Sequence, residues 1–507
     1  MNTTLSTEHV LIIGAGPAGL FAAGELARHG VNARLVERQA TPHKEARATA
    51  IQPAVLEVLG RAGVLEPFLQ IGMPIRCVRI IGPALQEIGA STLDEIDCPH
   101  TFECALPQWR TERILTEHLE ALGGTVERGV QVTAIEEAHD KLAVTLRHAD
   151  GQVERLSVDY LLGAGGAHSI TRSSMHESLE GSTYGGQFVA AEVQTGLPMP
   201  RDEARLFVGP KGLVLLAPLP DQHWIMFVSV DEETTTPPDE AGLNALVSKQ
   251  LGRDAGIHDV GWASCFRMHC RVAPRLAEGR RFLLGDAGHL SSPIAGEGLN
   301  SALMDAADVA WKLALVLRGA ARPTLLDSYA IERSLADHQV IKASDAAHQQ
   351  VMALVTTFAE GRTLAQDAPD AARDLAVKRS RAMLDLSYAG SPLVGEHLPA
   401  EAPADPASGT RFPDRTKLAG TGHHLLVFGP ADLDRLRERW TGTVEILDGI
   451  ATGFDAARAG VPTGGAVLVR PDGIIGFRLS QVDGPGLAAL DAHLTRYLIP
   501  HEPENAA

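Results

Sequence analysis

The sequence predicts an α/β fold whose core is a parallel β-sheet with helices packed against it. Three stretches carry this prediction, at residues 10–37, 160–169 and 281–300. Each begins with a short apolar run, which is typical of a buried strand, and continues into a turn that contains glycine. Because the carboxyl ends of parallel strands meet at one edge of a sheet, we expect the three turns to lie close together.

The first stretch has the pattern of a dinucleotide-binding βαβ unit. An apolar strand at residues 10–13 is followed by Gly14, Gly16 and Gly19, in the spacing GxGxxG. Gly14 permits a tight turn, and Gly16 allows the backbone to approach a pyrophosphate. Gly19 lets the following helix pack closely on the strand.

The helix and the second strand complete this unit. Pro17 and Ala18 begin a segment with helical spacing that runs to about residue 29. Pro17 suits the first helical position, where its missing N–H costs nothing, and the free N–H groups of this turn favour a phosphate. Glu37 ends the second strand, where it can accept hydrogen bonds from ribose hydroxyls.

Helical segments and strands alternate along the rest of the chain. Residues 48–59 and 111–122 show helical spacing of their apolar residues, and Arg47 precedes the first of these segments. From the residues alone, a contact to pyrophosphate and a solvated side chain are equally good interpretations of Arg47. Alternation of apolar residues within 73–105 and several apolar runs within 185–230 predict a β-rich insert.

The third stretch places Asp286 at the carboxyl end of a buried strand, where ligands of open α/β sheets bind. A glycine-rich loop then enters a long helix near Leu299, and Gly319 suits its end. Residues 324–388 are expected to be mostly helical. Proline, alanine, glycine and serine dominate residues 392–413, which predicts a linker before a smaller αβ unit.

Composition excludes several classes of function. The chain has 507 residues and a net charge of −18, which argues against a nucleic-acid partner or an anionic membrane surface. It contains no apolar run long enough to span a membrane and no secretory signal pattern at its N-terminus. Five cysteines indicate a reducing compartment, and we expect a cytoplasmic protein without disulfides. The spacing of Cys265, His269 and Cys270 matches no zinc motif, so no metal is expected.

Taken in order and separation, the three stretches resemble the FAD-dependent aromatic hydroxylases, which are class A flavoprotein monooxygenases of the para-hydroxybenzoate hydroxylase fold. The resemblance covers residues 8 to about 390. It implies a Rossmann-like FAD-binding domain (1–72, 106–180 and 276–390), a β-sheet substrate domain (73–105 and 181–275) and a linker (391–415). Residues 416–500 look like the thioredoxin-like C-terminal domain of phenol hydroxylase relatives. That domain contains no cysteine, so we expect it to serve packing or association, a homodimer included.

The resemblance also implies a non-covalent FAD and the residues that hold it. Pro293, through its backbone carbonyl, and Arg47 are expected at the reacting end of the flavin. The expected cofactor contacts are Gly14, Gly16, Pro17, Ala18, Gly19, Glu37, Arg38, Arg47, Gln108, Arg113, Val132, Gly285, Asp286, Pro293, Gly298, Leu299 and Asn300. The candidate substrate-wall residues are Trp224, Phe227, Phe266 and Met268, although core packing is the commoner role for each. His289 is expected to be a hydrogen-bonded structural residue.

Two positions depart from the family pattern. Gly165 and Gly166 stand where the family has Asp-Gly, so an acid thought to serve FAD and the nicotinamide nucleotide is missing. Glu297 replaces a residue that is usually neutral. A carboxylate beside the flavin would disfavour its anionic reduced form. The alternative, which we favour at this stage, is that Glu297 points away and complements the N-terminus of its helix.

The activity that the resemblance implies is an NAD(P)H-dependent hydroxylation. NADPH or NADH reduces FAD, reduced FAD and O₂ form a C4a-hydroperoxide, and one oxygen atom passes to a phenolic or polyketide-like aromatic ring. A Baeyer–Villiger or epoxidising oxygenase, or a flavin dehydrogenase, is the alternative on the same scaffold. A third hypothesis is a non-catalytic flavoprotein, to which the missing acid at Gly165 points.

Overall fold

The computed structural model describes residues 6–42, 48–230, 233–292, 296–362, 375–399 and 406–501. The helices are α1 (Pro17–Arg28), α2 (Pro53–Ala62), α3 (Leu65–Ile71), α4 (Gln108–Ala121), α5 (Ile170–Ser174), α6 (Glu240–Leu251), α7 (Gly298–Leu317), α8 (Asp327–Ala359), α9 (Leu375–Arg381), α10 (Asp434–Arg439) and α11 (Gly484–Thr495). No helix within these ranges combines the length and the apolar character that a bilayer crossing needs.

The strands form three larger sheets and two small ones. They are β1 (Ser6–Ile13), β2 (Arg34–Glu37), β3 (Ala50–Ile51), β4 (Met73–Ile75), β5 (Cys77–Ile81), β6 (Glu87–Thr92), β7 (Glu103–Ala105), β8 (Val126–Arg128), β9 (Val130–Ala138), β10 (Lys141–His148), β11 (Val153–Gly163), β12 (Glu180–Thr183), β13 (Gln187–Gln194), β14 (Glu203–Gly209), β15 (Gly212–Pro218), β16 (Trp224–Val230), β17 (His258–Phe266), β18 (His269–Val272), β19 (Ala277–Glu278), β20 (Arg281–Leu283), β21 (His289–Leu290), β22 (Gly395–His397), β23 (His423–Phe428), β24 (Val444–Asp448), β25 (Gly465–Val469) and β26 (Ile475–Leu479).

The first large sheet confirms the predicted parallel core. Its strand order is β19-β20-β11-β1-β2-β8, and β10 pairs antiparallel with β11 and carries β9, also antiparallel, on its other side. The parallel register pairs Ile13 with Gly163, and Gly163 with Leu283. The three glycine-bearing turns that follow these residues therefore leave the sheet side by side, as the sequence predicted.

The second large sheet is built from the predicted β-rich insert. Its order is β17-β13-β16-β15-β14-β5-β6, which joins strands from residues 77–92 to strands from 187–266. Apolar residues line both of its faces. One face packs against α6 and the other faces α8 and the interior of the molecule.

The C-terminal sheet has the order β22-β26-β25-β23-β24. Its first strand, β22, lies inside the predicted linker and pairs with β26, and Phe412 near the end of that stretch is almost fully buried. The described parts of residues 391–415, whose composition predicted a linker, thus include a paired strand and buried side chains. The apolar core of this sheet continues into Trp311 and Leu315 of α7.

One predicted helix begins later than expected. Residues 50 and 51 form β3, and α2 starts at Pro53 and is followed by Gly63 in the left-handed conformation (φ 79°). Proline is favoured in the first turn of a helix and glycine just after its end, so the boundary was present in the sequence. The helix was predicted to start at residue 48 because the apolar spacing extends through Ala50 and Ile51, which form the strand.

Candidate active site

Close backbone approaches explain the glycines of the first turn. A Cβ atom at Gly19 would lie 1.9 Å from the carbonyl oxygen of Gly14, and one at Gly14 would lie 2.4 Å from that of Ala164. Both distances are far below contact distance, so only glycine fits. The first turn is thereby packed directly onto the second one, which follows β11.

The N-terminus of α1 is open for an anion. Gly16 precedes the helix, no atom lies within 4 Å of a Cβ built on it, and the first helical turn contains no acidic residue. Unpaired N–H groups and the helix dipole both favour a phosphate at such a position. Beside it, Glu37 accepts hydrogen bonds from the N–H groups of Ala15 (2.9 Å) and Gln39 (2.8 Å), which hold its carboxylate at the turn.

The first and third turns meet in space. A Cβ on Gly285 would lie 3.6 Å from Cβ of Ala18 in α1 and 2.9 Å from Cβ of Ala302 in α7. The small residues at these positions let the two helices and the turn approach one another. The turn that carries Asp286 therefore lies next to the N-terminus of α1, although about 270 residues separate them in the sequence.

A cavity of about 800 Å³ begins at these turns and extends to the insert. Gly16, Pro17 and Ala18 line one end, and the exposed Asp286 lines the middle together with the start of α7. The far end is formed by the second sheet. A cavity of this kind is continuous from the dinucleotide turn to an apolar wall, as a site for a long cofactor and an aromatic substrate requires.

A buried ionic cluster fixes the turn at Asp286. The N–H of Gly285 donates to Oδ2 of Asp305 (2.8 Å), and Nε2 of His289 lies 2.8 Å from the same oxygen. Arg333 bonds the other oxygen of Asp305 at 2.7 Å. Burial lowers the pKa of His289, but Asp337 and Asp305 outweigh it and raise that pKa to about 9. His289 is thus a charged structural residue that orients the turn.

The side chain of Asn300 supports the start of α7. It is fully buried, and its Oδ1 accepts the N–H of Gln52 at 2.8 Å. Its Nδ2 donates to the carbonyl oxygens of Ala50 (2.9 Å) and Gly296 (2.8 Å). All three bonds are internal, so the side chain of Asn300 holds the start of α7 in place, and Gly298 and Leu299 line the cavity.

Glu297 lines the cavity, and the preference for an outward orientation was wrong. Only 4% of the residue is exposed, and its side chain makes no capping hydrogen bond to α7. Its Oε2 is buried without a hydrogen-bond partner among the described residues. Burial raises the pKa of Glu297 to about 8, helped by the nearby Asp385 and Glu103, so the carboxyl group is neutral at pH 7.

A second polar group faces the insert end of the cavity. Nε of Arg381, at the end of α9, donates to Glu103 at 2.7 Å, and its Nη1 donates to the carbonyl oxygen and the hydroxyl of Ser91. These three residues line the cavity with Val377 and Ser380. Sequence reasoning did not find this group, since its members are 12 to 290 residues apart and no local motif connects them.

The predicted substrate wall is partly in place. Phe227, Phe266 and Met268 line the cavity, with Ile225 and Leu215 from neighbouring positions of the sheet. The prediction for Trp224 needs correction. It lies three residues before Phe227 and so points to the opposite face, where it packs in the other apolar cluster under the guanidinium of Arg201.

The remaining predicted cofactor residues have different surroundings. Gln108 lines the cavity, whereas Val132 is buried in the core of the first sheet. Arg38 is exposed, and Arg113 is exposed and lies 3.6 Å from Glu117. Arg47 and Pro293 lie outside the described residues.

The comparisons with known proteins decide the family. A sequence family described as "FAD binding domain" matches residues 7–344, two thirds of the chain. A second one, described as "Aromatic-ring hydroxylase, C-terminal", matches residues 391–499. The chain belongs to the FAD-dependent aromatic-ring hydroxylases. This hydroxylase is an FAD-dependent monooxygenase with the para-hydroxybenzoate hydroxylase fold that the sequence predicted.

Relatives match the hydroxylase over nearly its whole length. The 6-methylpretetramide 4-monooxygenase of Streptomyces rimosus is 31% identical over 97% of this chain and 94% of its own. The dialkyldecalin synthase of Streptomyces rugosporus is 30% identical over 94% and 96%. The solved structure of an anhydrotetracycline hydroxylase from Streptomyces rimosus is 26% identical and has a TM-score of 0.75, with 98% of this chain and 100% of that chain covered.

The geometry of the hydroxylase fits its cofactor. The uncapped N-terminus of α1 and the bare Gly16 suit the pyrophosphate of FAD, and Asp286 lies further along the same cavity. The start of α7 follows, with a helix dipole that favours negative charge on the ring system. All of these features line the same cavity.

Proposed function

We propose that the hydroxylase uses NADPH or NADH and O₂ to hydroxylate a phenolic or polyketide-like polycyclic aromatic substrate. The observation that carries this proposal is the single cavity that joins the first glycine turn to the apolar wall of the insert. Relatives named for 6-methylpretetramide and anhydrotetracycline support a fused-ring substrate. The size and apolar lining of the insert end are suited to such a ring system.

Within this proposal, each part of the cavity has a separate task. The residues of the cofactor set hold FAD, which when bound supplies the hydride acceptor and the oxygen chemistry. The N-terminus of α7 stabilises negative charge on the ring system, and Arg47 and Pro293 belong to the reacting end. Phe227, Phe266 and Met268 hold the substrate ring in a dry environment. No side-chain nucleophile is required.

The missing acid at Gly165 and the dialkyldecalin synthase relative favour one competing function. In that reading, FAD is bound as a structural group and the cavity performs a ring-forming or other non-redox reaction. Substrate-stimulated oxidation of NAD(P)H excludes this function. If FAD is bound and a product forms without oxidation of NAD(P)H, the ring-forming or other non-redox function replaces the hydroxylation proposal.

The test uses the purified FAD-loaded protein and a panel of fused-ring phenols. The expected result is substrate-stimulated consumption of NAD(P)H and a product that gains one oxygen atom from ¹⁸O₂. Retention of the carbon skeleton identifies hydroxylation, whereas ring expansion identifies a Baeyer–Villiger reaction. Turnover without incorporation of oxygen identifies a dehydrogenase and would contradict the proposal.

We also propose a domain division, a location and an assembly for this protein. The division into an FAD-binding domain, a substrate domain and a thioredoxin-like C-terminal domain is supported by the three large sheets. A cytoplasmic location is supported by five cysteines that form no disulfide. A homodimer is proposed as the assembly, and size-exclusion chromatography with light scattering tests it.

A further inference from the structure

Glu297 stands out among the cavity residues because it is a buried acid for which the described residues supply no ion pair. Only 4% of Glu297 is exposed, and its Oε2 has no hydrogen-bond partner within the described parts of the chain. The side chain does not cap α7, although it is placed directly before it. Burial of a carboxylate without a cation or hydrogen bonds costs several kcal/mol, so the neutral acid is favoured.

The charged groups that act on Glu297 from the described part of the chain are acidic. Asp385, beyond α9, and Glu103, on β7, both act to keep its carboxyl protonated. The guanidinium of Arg381 is bonded to Glu103 and Ser91. From β18, the thiol of Cys270 faces it and carries no charge, because burial raises the pKa of that thiol.

These neighbours also show which side of the cavity Glu297 faces. Glu103 lies on β7, which pairs with β4, and it shares the guanidinium of Arg381 with Ser91 of β6 in the second sheet. Cys270 lies in β18, and the next strand, β19, belongs to the first sheet. The acid therefore lies beside the part of the cavity that the proposed function assigns to the substrate.

We propose that Glu297 donates a hydrogen bond to a carbonyl oxygen of the substrate and thereby selects polycyclic aromatic ketones or quinones. The inference rests on the proposed function, because it takes the insert end of the cavity as the substrate site. A neutral carboxyl group offers one O–H donor beside the apolar residues of this wall. A substrate without an acceptor leaves that donor unsatisfied, and a buried unsatisfied group is a strong basis for discrimination.

The test compares two ligands that differ only in one carbonyl group and have no titratable group, xanthone and xanthene. Each is titrated into the oxidised holoenzyme without NAD(P)H, and binding is followed by the change in the flavin absorbance. At pH 6.5 we expect xanthone to bind about tenfold more tightly than xanthene, since one buried hydrogen bond is worth about 1–3 kcal/mol. As the pH rises through about 8, Glu297 ionises and the preference for xanthone falls.

Two variants separate the hydrogen bond from the shape of the cavity. Glu297→Gln keeps a donor that does not titrate, so its preference for xanthone should persist up to pH 9. Glu297→Leu removes the donor and should bind both ligands equally at all pH values. Glu117→Gln, which changes an exposed carboxyl on α4, is the matched control and should behave like the wild type.

Several results would overturn the inference. They are equal binding of the two ligands to the wild type, failure of the wild type to bind xanthone, a preference that rises with pH, or an unchanged preference in Glu297→Leu. None of these measurements involves turnover. Failure of the hydroxylation proposal therefore appears separately, as the absence of oxygen incorporation in an enzyme that still distinguishes the ligands.

Discussion

Gly16 and Gly19 are three residues apart in the same turn but have different surroundings. Gly16 has an ordinary φ of −76° and open space around it, whereas a Cβ at Gly19 would collide with backbone at 1.9 Å. We expect Gly16→Ala to fold normally, with a free energy of unfolding of the apoprotein within about 0.5 kcal/mol of the wild type. Its FAD dissociation constant should rise at least about tenfold, because the new methyl group occupies the space of the pyrophosphate.

Gly19→Ala is the comparison for that experiment. Its collision is with the carbonyl of Gly14, which cannot move without breaking the turn. We expect little folded protein with or without FAD. Thermal unfolding measures the stability of each apoprotein, and flavin fluorescence titration measures the FAD dissociation constant. An equal loss of apoprotein stability in Gly16→Ala and Gly19→Ala would contradict the proposal that Gly16 serves FAD binding and Gly19 serves folding.

Gly165 is a glycine that the backbone does not require. Its φ is −75°, and the nearest atom to a Cβ built there is 3.8 Å away. The backbone therefore accepts a residue with a Cβ atom at this position. Gly165→Asp restores the acid of the family pattern and should lower the dissociation constant for NAD(P)H several-fold, an effect on the order of 1 kcal/mol for one added hydrogen bond.

Anaerobic stopped-flow measurement of FAD reduction, at a series of NAD(P)H concentrations, tests this expectation. Gly165→Asn is the control, because it has the same shape without the charge. Identical dissociation constants for the wild type and the aspartate variant would show that the hydride donor does not use this position.

At the level of elements, the sequence predicted what depends on local pattern. The strand–turn–helix order around Gly14 and the strand that ends at Asp286 are local signals, and both were recovered. The orientation of Glu297 could not be predicted in this way. It depends on β7 and α9, which the fold brings to the cavity from about 190 residues upstream and 80 downstream.

The third turn and α7 are joined by the charged pair of His289 and Asp305. The folded-state pKa of His289 is about 9, above its ordinary value of 6.5, so protonation stabilises the fold. This contribution is fully present below pH 6.5 and is lost as the pH rises through 9. A shift of this size corresponds to about 3 kcal/mol.

His289→Gln should therefore be less stable than the wild type by an amount that is largest at pH 6 and shrinks towards pH 10. Urea unfolding of both proteins across this range measures the difference. Release of FAD should accompany this loss of stability. The N–H of Gly285 and the ring of His289 share Oδ2 of Asp305, so loss of the histidine loosens the turn that carries Asp286. A difference that is constant with pH would show that His289 is neutral in the fold.

In the whole molecule, the C-terminal region is attached to the FAD-binding part by buried ion pairs. Arg470 of the C-terminal part bonds Glu332 of α8 at 2.8 Å and lies 3.3 Å from Asp308 of α7. Arg411 and Arg415 both bond Glu57 of α2. Composition could not predict this attachment, since residues 392–413 were interpreted as a linker and the partners of these arginines are far away in the sequence.

Removal of one member of this interface should cost more than removal of a surface pair. Arg470→Met removes the cation that Glu332 and Asp472 share and leaves Lys312 to face the two carboxylates alone, which is expected to destabilise the protein by about 3–5 kcal/mol. Arg458→Met removes an exposed contact to Asp97 and should cost less than about 1 kcal/mol. Urea unfolding followed by tryptophan fluorescence compares them, since Trp311 and Trp440 both belong to the core of this interface. If the two variants unfold at the same urea concentration, the buried cluster does not hold the C-terminal part in place.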